Sequence, residues 1–170
     1  ELLSDQVHID ILRVDPSEAR PYFTLVTSGM SDRAMTVPQG AEEWQHAELM
    51  ICLPPDWPVN DEEKFKLEEY YWPIRWLKQL ARFPHKLSTW IGWGHTIPNG
   101  DPAEPLAPNT ELSGFLITTP LTTSPDFARL EIPDGPHIHF HAIVPIYHEE
   151  MDFKLHAGTE ALEELLSGQA

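Results

Sequence analysis

The stretch His137-Ile-His-Phe-His-Ala-Ile-Val-Pro-Ile-Tyr147 decides the fold class. Its apolar side chains recur at every second position from Ile138 to Ile146, and this period predicts a β-strand. A shorter apolar run, Ala128–Ile132, precedes it. The turn-forming residues Pro133-Asp-Gly-Pro136 separate the two runs, so the region predicts a β-hairpin.

The hydrophobic pattern also limits the register of this hairpin. Placing the apolar residues of both strands on one face requires an odd number of loop residues, three or five. With five, Glu131 lies opposite His139 and Arg129 lies opposite His141. The histidines then share the polar face of the sheet with one carboxylate and one cation.

Outward from the hairpin, the sequence predicts further strands and three helices. Apolar residues at helical spacing predict a helix that begins at Pro73 and ends at Pro84. The pattern is helical again from His148, Gly158 is a suitable stop, and Thr159 is a suitable cap for a last helix. The predicted strands are Val7–Ile11, Tyr22–Thr27, Leu49–Leu53, Thr89–Ile97 and Phe115–Ile117. We therefore expect an α/β fold of the α+β type. It would be a single domain over residues 1–170, with a mixed, antiparallel-rich sheet and helices packed on it.

Composition narrows the function classes. A chain of 170 residues with a net charge of −16 repels nucleic-acid phosphates and anionic membranes, and it attracts basic proteins. The same charge can serve solubility alone. No apolar run reaches the length of a membrane helix and no secretory signal opens the chain, so we expect a cytoplasmic protein. The single cysteine, Cys52, lies in an apolar run and is expected to be a buried, inert thiol.

Three histidines of the longest strand are candidate metal ligands. His137, His139 and His141 alternate along the strand, so they stand on one face roughly 7 Å apart. A His-x-His pair can hold a metal such as zinc, and Glu131 could complete the set. The alternative is a polar sheet face with cross-strand His–Glu pairs. We expect no cofactor and no metal, and we keep His137, His139 and Glu131 as the alternative site.

A second group of candidate residues follows Trp90. In the stretch Trp90-Ile-Gly-Trp-Gly-His-Thr-Ile-Pro-Asn-Gly-Asp101, a strand would place His95 on the same face as Trp93 and Ile97. The glycines of this stretch would expose the backbone or let another chain approach it closely. The loop after it contains Asn99 and Asp101. We expect His95, Asn99 and Asp101 to be candidates for contact with a partner.

Motifs of enzymes are missing from the sequence. It has no phosphate-binding loop, no Gly-x-Gly-x-x-Gly, no Cys-x-x-Cys and no recognisable nucleophile motif. The residues therefore favour a protein without catalytic activity.

Several long motifs resemble the suppressor of fused domain, and in particular its bacterial single-domain members. The resemblance spans about Val7 to Leu166. In order, the motifs are Tyr22-Phe-Thr-Leu-Val-Thr-Ser-Gly-Met-Ser-Asp32, Ala47-Glu-Leu-Met-Ile-Cys-Leu-Pro54, Trp72-Pro-Ile-Arg-Trp-Leu77, Gly94-His-Thr-Ile-Pro-Asn-Gly-Asp101 and Pro145-Ile-Tyr-His-Glu-Glu150.

The resemblance implies an α/β fold without catalytic activity and a role in binding proteins. Eukaryotic members bind a peptide of a transcription factor, partly by strand addition, and bacterial members include immunity proteins that neutralise toxins. This chain departs from the eukaryotic pattern in two ways. It is too short for their second domain, and Gly94 stands where they carry an acidic residue before the histidine.

Three hypotheses follow. The first is a non-enzymatic protein-binding domain, of the immunity type, with a basic toxin domain as its partner. The second is a metal-dependent enzyme built on His137, His139 and His141. The third is a homo-oligomeric structural protein that self-associates through an apolar patch involving Trp57, Trp72 or Trp93.

Overall fold

The computed structural model describes residues 7–120 and 122–168. Within these residues the chain forms seven β-strands and three α-helices. The strands are β1 (Asp10–Val14), β2 (Phe23–Ser28), β3 (Ala47–Leu53), β4 (Thr96–Pro98), β5 (Gly114–Thr118), β6 (Arg129–Glu131) and β7 (His137–Ile146). The helices are α1 (Glu68–Leu87), α2 (His148–Ala157) and α3 (Thr159–Ser167). The predicted α+β fold is confirmed.

Strand β7 organises the sheet. The strand order is β1-β2-β3-β7-β5-β4, and β6 also pairs with β7. The β3–β7 pair is parallel, and the other described pairs are antiparallel. With ten residues, β7 is long enough to pair with β3 along one side and with both β5 and β6 along the other. The antiparallel-rich mixed sheet agrees with the prediction.

Helix α1 covers one face of the sheet and builds the main core. Leu77, Leu80 and Ala81 of this helix are buried in one cluster with the sheet residues Leu49 and Phe115. A smaller cluster lies on the opposite face, where Met151 of α2 and Leu162 of α3 pack with Leu116 and Ile146. Alternate residues of a strand point to opposite faces, so β5 supplies side chains to both clusters.

Helix α1 is longer than the sequence predicted. It begins at Glu68 and continues past Pro84 to Leu87, so both prolines lie inside it. A proline has no N–H for the carbonyl four residues earlier, which for Pro73 is that of Glu69. The side-chain amide of Asn109 donates to the Glu69 carbonyl at 3.2 Å and supplies the missing partner. The sequence could not reveal this compensation, because Asn109 lies in a distant loop.

The hairpin β6–β7 has the predicted parity, and its register is that of the three-residue loop rather than the five-residue one. Leu130 pairs with Ile138, so the apolar residues of the two strands share a face and the parity is confirmed. Glu131 lies opposite His137 and Arg129 opposite His139, and the predicted pairs of Glu131 with His139 and of Arg129 with His141 are wrong. The hydrophobic pattern fixes parity alone, whereas the turn fixes the register.

A β-turn at Ile132 sets that register. The Gly135 N–H donates to the Ile132 carbonyl at 2.9 Å, and Asp134 adopts a positive φ of 56°. Pro133 precedes Asp134, and this combination is typical of a type II turn. The turn ends the hairpin close to Glu131, so β6 is shorter than predicted.

The other predicted elements are present with shifted ends. Strand β1 begins at Asp10, later than the predicted Val7. The C-terminal helices break at Gly158, which adopts a φ of 93°, as the predicted stop requires. Gly158 rather than Thr159 is the N-cap of α3, so the predicted capping role of Thr159 is wrong. None of the described helices is long and apolar enough to cross a membrane.

Candidate partner-binding site

Strand β4 forms one edge of the sheet and pairs with β5 alone in the strand order. The His95 carbonyl accepts from the Ile117 N–H, and the Asn99 N–H donates to the Ser113 carbonyl, both at 2.8 Å. In an antiparallel ladder, successive residues direct their backbone groups to opposite sides. The N–H and C=O of Thr96, between these bonded residues, therefore point away from β5.

An open cleft of about 750 Å³ lies beside β4. Phe83 of α1 and Trp90 give it apolar walls, while Asp101 and Lys154 of α2 place charges in its lining. A smaller depression of about 330 Å³ continues along α1 and is lined by Trp76, Lys86 and Asn99, among others. The two concavities share Phe83, Ile97, Pro98 and Gly100. We call the edge of β4 and these two concavities the β4 cleft.

The predicted strand Thr89–Ile97 is confined to its last residues, because the chain turns at Gly94. Gly94 has a φ of 81°, and a Cβ there would lie 3.0 Å from Thr159 Oγ1. The turn carries Trp93 out of the core, so its side chain is 44% exposed and its Nε1 donates to Glu163 Oε1 at 3.0 Å. The predicted placement of His95 on one face with Trp93 is therefore wrong. Thr159 of the same chain is the close neighbour of the Gly94 backbone, and approach by another chain stays a prediction.

His95 packs against Trp90 and lines the β4 cleft. The two rings meet edge to face with centroids 4.5 Å apart, and the Gly92 N–H donates to His95 Nδ1 at 3.4 Å. Burial lowers the pKa of His95 from its usual 6.5, and the nearby charge of Lys154 lowers it further. At neutral pH, His95 therefore presents a neutral ring to the cleft.

Asn99 and Asp101 lie on the same surface but have different roles. The Asn99 side-chain amide donates to the backbone carbonyls of Glu104 and Pro105 at 3.0 and 2.9 Å. The backbone carbonyl of Asn99 accepts from the Glu104 N–H at 2.8 Å. Asn99 thus builds the loop. Asp101 is exposed at the rim of the cleft and has no hydrogen bond to the described residues. The structure brings His95, Asn99 and Asp101 to one surface, and its contact with a partner stays a prediction.

Sequence reasoning missed three other residues of the cleft. Phe83 comes from α1, Lys154 comes from α2, and Trp90 lies in the segment before the turn. The sequence signal for Trp90 was the glycine two positions later: the Trp90 ring packs on Gly92, where a Cβ would lie 2.5 Å from the ring. The other two residues are distant in sequence and gave no signal.

The face of β7 that carries the histidines is covered by the main core, not polar as predicted. His139 and His141 are 6% and 3% exposed and lie on the same side of β7 as the core residue Ile143. Trp44 covers them, with ring centroids 4.1 Å from His139 and 6.4 Å from His141. The expected polar sheet face with cross-strand His–Glu pairs is therefore limited to the end of the strand, where Glu131 lies opposite His137. Trp44 comes from a short helical turn outside the sheet, and the strand pattern could not indicate it.

The buried histidines remain uncharged at neutral pH. Burial lowers the pKa of His141 to about 4, with smaller contributions from His139 and His95. Burial also lowers the pKa of His139, although the Glu43 carbonyl accepts from its ring at 3.0 Å and opposes this effect. Neither ring nitrogen of His141 has a hydrogen-bond partner among the described residues.

These side chains do not converge on a common point. Glu131 forms an ion pair with Arg129 at 3.2 Å, and its side chain is 72% exposed. Among residues 7–120 and 122–168, no group of three or more His, Cys, Asp or Glu residues could hold a metal ion. The alternative set of His137, His139 and Glu131 therefore has no support in the described part of the chain.

Two of the three tryptophans considered for self-association belong to the core. Trp72 is 5% exposed, and Trp57 packs edge to face against it with centroids 6.3 Å apart. Trp93 is the exposed member of the three. Trp72 is therefore not available for a surface patch, and self-association through Trp57 or Trp93 stays a prediction.

The fold and the cleft together define a class of protein, an α+β domain with an unpaired sheet edge beside a concave surface. The sequence profile of the family described as Suppressor of fused protein (SUFU) matches residues 5–170. The chain therefore belongs to the suppressor of fused family. A search of curated proteins found no significant match.

Solved structures of three relatives share the fold. A suppressor of fused homologue from Neisseria gonorrhoeae FA 1090 superposes with a TM-score of 0.67 at 17% identity, covering 99% of this chain and 75% of that one. Sufu in a Sufu–Fu complex gives 0.64 at 17% identity, with 95% and 70% covered. Drosophila Suppressor of Fused gives 0.63 at 14% identity, with 97% and 40% covered.

Proposed function

We propose that this chain is a non-enzymatic protein-binding domain that takes an extended segment of its partner along the outer edge of β4. The orientation of the Thr96 backbone carries this proposal, since its N–H and C=O point away from β5 at the end of the sheet. A segment added there pairs with these groups by strand addition and places alternate side chains in the β4 cleft. The fold of Sufu in the Sufu–Fu complex is consistent with such a role.

The cleft suits an apolar side chain flanked by polar or charged ones. Trp90 and Phe83 provide apolar walls, and the neutral ring of His95 adds no charge. Asp101 and Lys154 provide one charge of each sign in the lining, so they can orient a partner segment. A few polar groups placed around an apolar cavity are typical of specific binding sites.

We further propose that the partner is a basic toxin domain and that this chain is its immunity protein. The net charge of −16 supports a basic partner, because opposite charge speeds association. Helices α2 and α3 place negative charge next to the cleft, and Lys154 is the only Lys or Arg in these two helices. Their acidic residues are Glu149, Glu150, Asp152, Glu160, Glu163 and Glu164.

A substitution at the edge tests the binding role. Thr96→Pro removes the outward N–H, and a strand edge tolerates proline. Thr96→Val keeps the N–H and the branched shape, so it is the matched control. We expect the wild type and Thr96→Val to capture one stoichiometric basic partner from native lysate, and Thr96→Pro to lose it at an unchanged melting temperature. Equal capture by Thr96→Pro and Thr96→Val would contradict strand addition.

The captured partner tests the immunity role separately. Expressed alone, it should arrest growth, and co-expression of the wild type should restore growth whereas Thr96→Pro should not. A captured partner that is harmless would reject the immunity role and leave the binding role standing.

A further inference from the structure

Another concavity, separate from the β4 cleft, lies on the outer face of the sheet, across from α1. It is a groove of about 420 Å³ over β3, β5 and β7, beside α3. Its apolar lining includes Leu116, Ala142, Val144 and Leu166. This volume is in the range of small-molecule sites, which are mostly apolar with a few polar groups. We call it the outer groove.

Glu163 gives the outer groove a negative charge. Its Oε1 accepts hydrogen bonds from Trp93 Nε1 and Thr118 Oγ1, and both donors are neutral. No Lys, Arg or His among the described residues forms an ion pair with Glu163, and its Oε2 has no hydrogen bond to them. A half-buried carboxylate beside apolar surface favours a cation, because attraction is stronger where water is partly excluded.

We propose that the outer groove binds a small amphiphilic amine. The aliphatic or aromatic body of the amine lies on Ala142, Val144 and Leu166, and its ammonium group donates to Glu163 Oε2. An anionic amphiphile is repelled by the same carboxylate, and a neutral one gains only the apolar contact. This site is separate from the β4 cleft and does not depend on the proposed function.

Cys52 supplies a reporter inside the outer groove. It is the single cysteine of the sequence and lines the groove half-buried, not fully buried as the sequence predicted, with Sγ 3.3 Å from Thr122 Oγ1. Alkylation therefore modifies one known position. A molecule that occupies the groove covers Cys52 and slows its alkylation, so the alkylation rate distinguishes this site from other surfaces.

Three probes with the same chain length distinguish the contribution of charge to binding from that of apolar contact. They are decylamine, 1-decanol and decanoate, each used below its micellar concentration. We expect decylamine to slow alkylation of Cys52 by iodoacetamide and to bind about tenfold or more tightly than 1-decanol, the ratio expected for a hydrogen bond to a charged group. Decanoate should neither bind nor protect Cys52. Equal binding of the amine and the alcohol by the wild type overturns the proposal, as does amine binding that leaves the alkylation rate unchanged.

Two substitutions on helix α3 test whether the charge of Glu163 is the one that binds the amine. Glu163→Gln keeps a carbonyl acceptor for Trp93 and Thr118 but removes the negative charge, so the amine-to-alcohol ratio should fall to about one while alcohol binding persists. Glu160→Gln removes one charge from an exposed position of the same helix, and its ratio should match that of the wild type. An equal loss in both variants would mean that the acidic surface alone attracts the amine, which overturns the proposal.

Discussion

Trp93 Nε1 donates a hydrogen bond to Glu163 Oε1 at 3.0 Å, between residues that are 70 positions apart in the sequence. This bond joins the turn before β4 to helix α3. The β4 cleft and the outer groove lie on either side of this connection, and Gly94 and Glu163 each line one of them. The turn before β4 is therefore held in place by helix α3, which lies near the C-terminal end of the sequence.

Trp93→Phe tests this connection. The substitution removes the N–H but keeps an aromatic side chain, and it leaves Glu163 with one donor fewer. Because Trp93 is 44% exposed, water compensates part of the loss, and we expect the free energy of unfolding to fall by about 1 kcal/mol. Urea denaturation measures it. An unchanged midpoint would show that the bond does not stabilise the turn.

Acidification should unfold the protein partly through His141. Its pKa is about 4 in the folded state, below its ordinary value of 6.5. Between pH 6.5 and 4, His141 is protonated in the unfolded chain but stays neutral in the folded state. The free energy of unfolding is therefore unaffected by the titration of His141 above pH 6.5 and declines as the pH falls towards 4. The loss should reach about 3 kcal/mol.

The variant His141→Phe isolates this effect. Phenylalanine keeps an aromatic ring beside Trp44 and His139 but has no titrating group. Urea midpoints at pH 7 and pH 4.5 should therefore fall less for His141→Phe than for the wild type, since the carboxylates contribute equally to both. The same fall in both proteins would exclude His141 as a source of acid sensitivity.

Glu48 should be among the most sensitive polar positions. It is 4% exposed, and its carboxylate accepts from Thr27 Oγ1, the Gly29 N–H, and the N–H and Oγ of Ser31, at 2.6 to 3.0 Å. Glu48→Ala leaves these donors without their acceptor, and we expect a loss of about 3 kcal/mol or more in the free energy of unfolding. Thermal and urea unfolding measure the loss. A change below about 1 kcal/mol would mean that water replaces the carboxylate.

Asn99 and Asp101 should separate stability from binding. Asn99→Ala removes two hydrogen bonds that hold the loop, so we expect a loss of about 1 to 2 kcal/mol in unfolding free energy. Asp101→Ala removes an exposed charge, so it should leave the melting temperature unchanged and slow association with a basic partner, most strongly at low salt. Calorimetry and stopped-flow kinetics measure the two effects. A destabilised Asp101→Ala protein would contradict this division.

Much of the fold was predictable because it depends on local periodicity. The alternation after His137 gave β7, and the hairpin parity followed from it. The register did not, because a shift by two residues preserves the pattern and only the turn at Ile132–Gly135 distinguishes the alternatives. The predicted start of α1 was wrong for a similar reason, since the Asn109 amide that satisfies the Glu69 carbonyl lies in a distant loop.

The candidate site was predictable as a surface but not as a cleft. The stretch from Trp90 to Asp101 placed His95, Asn99 and Asp101 close together in the chain, and the structure places them on one surface. The walls supplied by Phe83 and Lys154 depend on how α1 and α2 pack around β4. Short-range sequence patterns carry no information about that packing.

The sequence by itself determined the α+β class, the alternating strands, the acidic charge and the family motifs, because each depends on residue type and spacing along the chain. The tertiary structure alone decided that the histidine side of β7 is buried at His139 and His141. Both faces carry residues that can be covered, and only the position of Trp44 places His139 and His141 inside. It also decided that Trp93 leaves the core to bind Glu163, because the turn at Gly94 and the packing of α3 act together.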